Sequence, residues 1–124
     1  MANFIGTLTV VTELSGYFIT QKQLLYTDNK LIIKIPKGFK FNGATVPKWL
    51  NILIPKFGYK YDRSVCLHDY LYFSKKLSRK ESDRIFYEAM RAEKVNRNLA
   101  FVIYLAVRVF GRKSWQKAEK GGGK

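Results

Sequence analysis

Hydrophobic residues in the first third of the chain come in short runs separated by turn formers. FIGTLTV (4–10), GYFIT (16–20), QLLYTD (23–28) and KLIIKIP (30–36) are rich in β-branched and aromatic residues and are broken by Gly, Asp-Asn and Pro. Such runs predict short strands. In KLIIKIP, Leu31, Ile33 and Ile35 alternate with Ile32 and Lys34, a partly two-sided strand pattern. TDNK (27–30) is a hairpin turn signal. The stretch 36–49, PKGFKFNGATVPKW, reads as a loop punctuated by Pro36, Gly38, Gly43 and Pro47, with Asn42-Gly43 as its strongest turn. TVPKWLNILIP then predicts a short helix that breaks at Pro55.

The second half changes period. A helix is expected from Asp62 or Ser64, as N-cap, through Tyr72. A second opens with Ser78 and Glu81, an S-x-x-E capping box, and carries Ile85, Phe86, Ala89 and Met90 on one stripe. A third runs from Asn98 to Phe110, with Gly111 as a C-cap. Residues 112–124 read as a basic, Gly-ending flexible tail with Trp115 as an anchor, and residues 1–111 as one domain. The expected class is α+β: a small antiparallel β region, a long loop, then three packed helices. No internal repeat is visible.

Composition adds bounds. At 124 residues and 47% hydrophobic, the chain can bury one core. One cysteine, Cys66, leaves no internal disulfide and fits a reducing compartment. MANFIGTLTVV lacks a positive n-region, so no signal peptide is expected. LAFVIYLAV (99–107) is the longest apolar stretch, short of the roughly 20 residues of a membrane span. The charge changes the picture more. Twenty-three Lys and Arg against 9 Asp and Glu give +14, a surface that attracts lipid, envelope polymer or nucleic acid. No single basic block dominates. KFGYKYDR alternates Phe57, Tyr59 and Tyr61 with Lys56, Lys60 and Arg63, which could stack bases or form one apolar strand face.

The candidate chemistry centres on His68, the one histidine. Tyr72 is four residues on and shares its face. Asp69 is rotated by about 100° and needs its own partner: a cation, an arginine or a loop amide. Asp83 falls on the inward stripe of the second helix, where a carboxylate must be paired. His68 is its most economical partner and Arg84 the other local one. A histidine held by an aspartate, with its other nitrogen free, is a general base. The same pair could equally be a buried hydrogen-bond anchor. Cys66 points some 200° away from His68, which disfavours a Cys-His dyad. One His and one Cys are too few for zinc.

Two resemblances follow from these residues. GFKFNGATVPKWL, LHDYLY, SRKESDRIFYEAM and the apolar helix ending VRVFG resemble, in order, a family of small phage and prophage proteins of unassigned function. That family carries a Gly-Phe-x-x-Asp-Gly-Ala-Ser-x-Pro loop before His-Asp-x-Leu-Tyr and an Ala-Asp-Arg helix. This chain departs from it at Asn42 and Thr45. The resemblance implies a phage or mobile-element origin and a location in host cytoplasm or virion.

His68-Asp69-x-x-Tyr72 followed by Asp83-Arg84 is also similar to the paired active-site helices of phospholipase A2. That likeness implies His68 as base for water, Asp83 orienting the imidazole, Tyr72 bonded to Asp83, and Asp69 as a calcium ligand. The flanking cysteines are absent, with Ser64, Val65 and Leu71 in their places, and no glycine-rich calcium loop is recognisable.

Three expectations result. One is a metal-assisted ester hydrolase on His68, Asp83 and Tyr72, docked on an anionic surface. The second is a non-enzymatic virion, assembly or host-interaction protein in which the polar network is structural. Its binding loop would hold Asn42, Gly43, Thr45 and an exposed Trp49, facing a phage or host protein. The third is a nucleic-acid binder.

Overall fold

The computed structural model describes residues 2–29, 31–50 and 61–122, the last five by their backbone only. Six strands come first: β1 (Asn3–Ile5), β2 (Val10–Thr12), β3 (Phe18–Thr20), β4 (Leu24–Asp28), β5 (Leu31–Ile35) and β6 (Lys40–Phe41). Three helices follow: α1 (Asp62–Ser74), α2 (Arg79–Ala92) and α3 (Arg97–Gly122). The fold is α+β. Residues 48–50 are also helical. Residues 51–55 of TVPKWLNILIP, and Lys56, Phe57, Tyr59 and Lys60 of KFGYKYDR, lie outside the described residues.

The strands form two antiparallel three-stranded sheets, ordered β1-β4-β5 and β2-β3-β6. FIGTLTV is two strands, because Gly6 takes φ 99° and turns the chain between them. The β4–β5 hairpin closes where Asp28 faces Leu31, with Asn29 in the left-handed region at φ 52°. Its side chains alternate as expected: Ile33 and Ile35 are buried, Ile32 and Lys34 exposed. β6 lies in a stretch expected to be loop. Phe39 and Phe41 turn inward around the exposed Lys40, and β6 pairs with β3. Thr20 braces this corner: its hydroxyl accepts from Phe39 N–H (2.9 Å) and donates to Pro36 O (2.8 Å).

α1 is the centre of the molecule. Every residue from Ser64 to Tyr72 is buried. Cys66, Leu67, Tyr70 and Leu71 join the sheet-side core with Leu24, Tyr26, Ile35 and Phe41. Val65 joins a second core, with Phe86 and Met90 of α2 and Ala100, Ile103 and Val107 of α3. A helix covered on all sides cannot show a clean two-sided pattern. Ser64, His68, Asp69 and the Tyr72 hydroxyl, all buried on this helix, must each find a partner inside.

The helix ends depart from expectation in two places. Asp62 and Ser64 do not cap α1, whose N-cap position is Tyr61 and is not closed by a side-chain capping bond. Glu93, just past α2, does the work instead: its Oε1 accepts from Ser64 N–H (2.9 Å) and Ser64 Oγ (2.6 Å). Gly111 does not end the third helix, which continues to Gly122. A Cβ built on Gly111 would lie 2.7 Å from the Tyr72 hydroxyl. Glycine is there for close packing of α3 on α1, and the helix carries Trp115 on to an edge contact with the Tyr72 ring (5.0 Å). The Ser78 cap of α2 is present, its side chain accepting from Glu81 N–H at 3.1 Å.

Candidate functional site

The site is built where the 42–46 loop, α1, α2 and α3 meet. α1 presents His68, Asp69 and Tyr72; α2 presents Asp83 one turn in from its cap; α3 presents Arg108. His68 Nε2 lies 2.7 Å from Asp83 Oδ1, and the Tyr72 hydroxyl donates to the same oxygen at 2.6 Å. Asp83 Oδ2 accepts from Arg108 at 2.8 Å, and Arg79 stands 3.6 Å away. The expected His68–Asp83 contact is therefore present. The arginines at Asp83 are Arg108 and Arg79, not Arg84, which is exposed.

The other imidazole nitrogen is not free. His68 Nδ1 lies 2.9 Å from Thr45 Oγ1, and the ring has no exposed surface. It also stacks on Phe86 at 4.4 Å. Water has no nitrogen to approach, so the expected water-activating base lacks its open side. His68 and Asp69 were expected to aim at different points. They converge on one atom, because Thr45 Oγ1 also donates to Asp69 Oδ1. Asp69 Oδ2 accepts from Gly43 N–H at 2.7 Å, so a loop amide is its partner. Thr45 brings one hydroxyl proton. With it on Asp69, Nδ1 must donate; with it on Nδ1, the Asp69 carboxyl must carry its own.

Electrostatics separates the two carboxylates. Burial pushes Asp69 up from its ordinary 3.8, only partly opposed by Thr45, the Gly43 amide and His68. Burial acts the same way on Asp83, but His68, Tyr72 and Arg108 outweigh it and hold Asp83 below its ordinary value.

Asp69 and Thr45 form the floor of a cleft of about 760 Å³. Its walls are Tyr17, Phe39, Phe41 and Phe73, and Asn42 and Ala44 edge it on the loop side. Lys40, Lys113 and Lys117 stand around it. Lys40 is paired with Glu13 at 3.0 Å, while Lys113 and Lys117 have no ion-pair partner among the described residues. Asn42 Oδ1 accepts from Ala44 N–H at 2.9 Å and shapes the turn. Ser114 Oγ donates to Ala44 O at 3.1 Å and ties α3 to it.

Of the residues expected from sequence, His68, Asp83, Tyr72, Asp69, Asn42, Gly43 and Thr45 come together. Trp49 is half exposed and does not line the cleft. Missed were Arg108, Arg79, Lys113 and Lys117. Arg108 had a signal, being the first charge after the 99–107 apolar run. Lys113 and Lys117 had the i, i+4 spacing of one helix face, hidden by the reading of Gly111 as a helix end.

The residues do not fit calcium. Both Asp69 oxygens are engaged, and among the described residues no three His, Cys, Asp or Glu side chains gather as a metal site. A hard cation asks for six to eight oxygens. Also among the described residues, no helix is long and apolar enough to cross a membrane.

The family model described as "Protein of unknown function (DUF1353)" matches residues 18–107. No curated protein and no solved structure matches the chain.

Proposed function

The chain belongs to the DUF1353 family of proteins of unknown function, and since that membership carries no activity, we propose from the geometry that the cleft binds an amphiphilic anion: an apolar body bearing a phosphate or carboxylate. The observation that carries this reading is an aromatic wall beside two lysines that have no ion-pair partner among the described residues. Ring faces hold the apolar body, and the lysines take the charge. The polar residues beneath are satisfied by one another, which suits a rigid scaffold. In this reading the His68–Asp83 network sets the position of the 42–46 loop, and so the shape of the cleft. The motif likeness to phage and prophage proteins extends the proposal to a phage-encoded interaction protein.

Calorimetric titration with octyl phosphate, against neutral octyl glucoside, tests it. Binding of the phosphate alone is expected, weakened roughly ten-fold by Lys113→Glu with Lys117→Glu. Equal binding of both amphiphiles, or no effect of the lysine changes, overturns it.

A specific observation favours a second reading, an ester hydrolase. Thr45, His68 and Asp83 form a hydroxyl–imidazole–carboxylate chain, and Thr45 lines the cleft. With the proton on the Asp69 carboxyl, Thr45 Oγ1 would attack the acyl carbon and pass its own proton to Nδ1, which returns it to the departing alkoxide as the ester C–O bond breaks. Water entering from the cleft would then cleave the acyl–threonine by the same steps in reverse, with Asp83 holding the ring throughout. Hydrolysis of a nitrophenyl ester that is abolished by Thr45→Ala and kept by Thr45→Ser would support it. No hydrolysis, or hydrolysis unchanged in Thr45→Ala, removes it.

A further inference from the structure

α3 is apolar on both sides. Its inner face, Ala100, Ile103, Ala106 and Val107, fills the second core. Its outer face carries Phe101, Val102, Leu105 and Val109, each between 44% and 69% exposed. At 100° per residue these four lie within an arc of about 100°, and they span roughly 12 Å along the axis. A helix that is apolar all round is ordinarily covered all round, yet nothing in this chain's described residues covers the outer face.

The charges on the same helix identify what would. From 97 to 117, α3 holds five basic residues and no acidic one. Arg108 is turned inward to Asp83. Arg97, Arg112, Lys113 and Lys117 are exposed. Arg97 stands at the start of the apolar stripe and Arg112 near its end, so cations bracket it.

We propose that this face of α3 docks on an anionic lipid bilayer, with the helix lying in the plane of the headgroups. Phe101, Val102, Leu105 and Val109 would enter the interface, and the bracketing arginines would meet lipid phosphates. A flat-lying amphipathic helix binds by buried apolar area together with attraction to anionic lipid. The stripe is far too short to cross, which suits an interfacial position. A second copy of the chain is the poorer occupant. Pairing two such faces brings two basic stripes together, and the whole molecule carries +14.

Vesicle co-sedimentation tests the proposal with the full chain, using vesicles of phosphatidylcholine alone and of equimolar phosphatidylcholine and phosphatidylglycerol. Binding to the mixed vesicles only is expected, falling as salt rises. Arg97→Glu with Arg112→Glu is expected to lower partition roughly 20-fold or more, since each basic residue at such a surface contributes about five-fold. Leu105→Glu with Val109→Glu is expected to abolish it. All four positions are exposed, and circular dichroism confirms that each variant keeps its fold. The proposal is overturned by no binding to mixed vesicles, by equal binding to pure phosphatidylcholine, or by binding that survives Leu105→Glu with Val109→Glu. It is also overturned if that pair of changes dissolves a dimer of a protein that never sediments with vesicles.

Discussion

Gly111→Ala should destabilise the protein, although glycine to alanine inside a helix ordinarily does the reverse. The propensity gain is about 1 kcal/mol. Against it, the new Cβ would sit 2.7 Å from the Tyr72 hydroxyl oxygen and 3.0 Å from an Arg79 guanidinium nitrogen. Neither atom is the free end of a side chain. The Tyr72 hydroxyl donates to Asp83 at 2.6 Å, and Arg79 donates to the carbonyls of Val107 and Arg108 at 3.2 and 3.3 Å. Forcing extra volume into a packed site costs about 1–3 kcal/mol. Shifting Tyr72 also weakens a hydrogen bond to a charged group, worth about 1.5–3 kcal/mol. The net expectation is a loss of about 1–3 kcal/mol, read by urea unfolding followed by circular dichroism. Tyr72→Phe removes the crowded oxygen, so the double variant should lose less than the sum of the singles, with a coupling of about 1 kcal/mol. If Gly111→Ala raises stability, or the two changes simply add, the close packing of α3 on α1 through this atom is wrong.

Three further outcomes are expected. His68→Ala should cost about 3–5 kcal/mol, because it strips buried Asp83 and Thr45 of a partner; a loss below about 1 kcal/mol in denaturant unfolding would show that the network does not hold the helices together. The two buried aspartates should give opposite pH slopes. Asp69, raised by burial, contributes stability fully at pH below its ordinary 3.8 and loses it as pH rises through its folded value. Asp83, held down, contributes above 3.8 and loses that contribution as pH falls through its folded value. Carboxyl-carbon NMR checks this directly, and Asp69 titrating at or below Asp83 would refute it. Cys66 is fully buried, and burial pushes its thiol well up, so a small alkylating reagent should label it only at the rate of unfolding; rapid labelling in native buffer would contradict the packing of α1.

Local chemistry made some of the architecture legible in advance. The Ser78–Glu81 cap, the Asn29 turn and the alternation in Leu31–Ile35 depend on residues within a few positions of each other, and each is where its pattern put it. Asp83 was legible too, since a carboxylate on a core stripe demands a partner, and His68 was the most economical one. Glycine misled where local and tertiary uses look alike. Gly111 carries the signature of a helix end, but it is a contact point, and that mistake hid Lys113 and Lys117 from view. Lys40–Phe41 looks like loop in the sequence because two residues of alternation are too few to stand out without the β3 partner.

What the sequence alone determined was the class of each long segment and the need for a buried polar cluster around His68. Periodicity and the cost of unpaired charge act within a helix turn or two, and one chain carries that information openly. Only the tertiary structure decided which partners the cluster meets. Thr45, 23 residues before His68, occupies the nitrogen that a water-activating base would need. Arg108, 25 residues after Asp83, supplies its cation. Asp69 meets a loop amide rather than a metal shell. Such contacts depend on how far apart four separate segments settle when they pack, and side-chain spacing along the chain does not encode those distances.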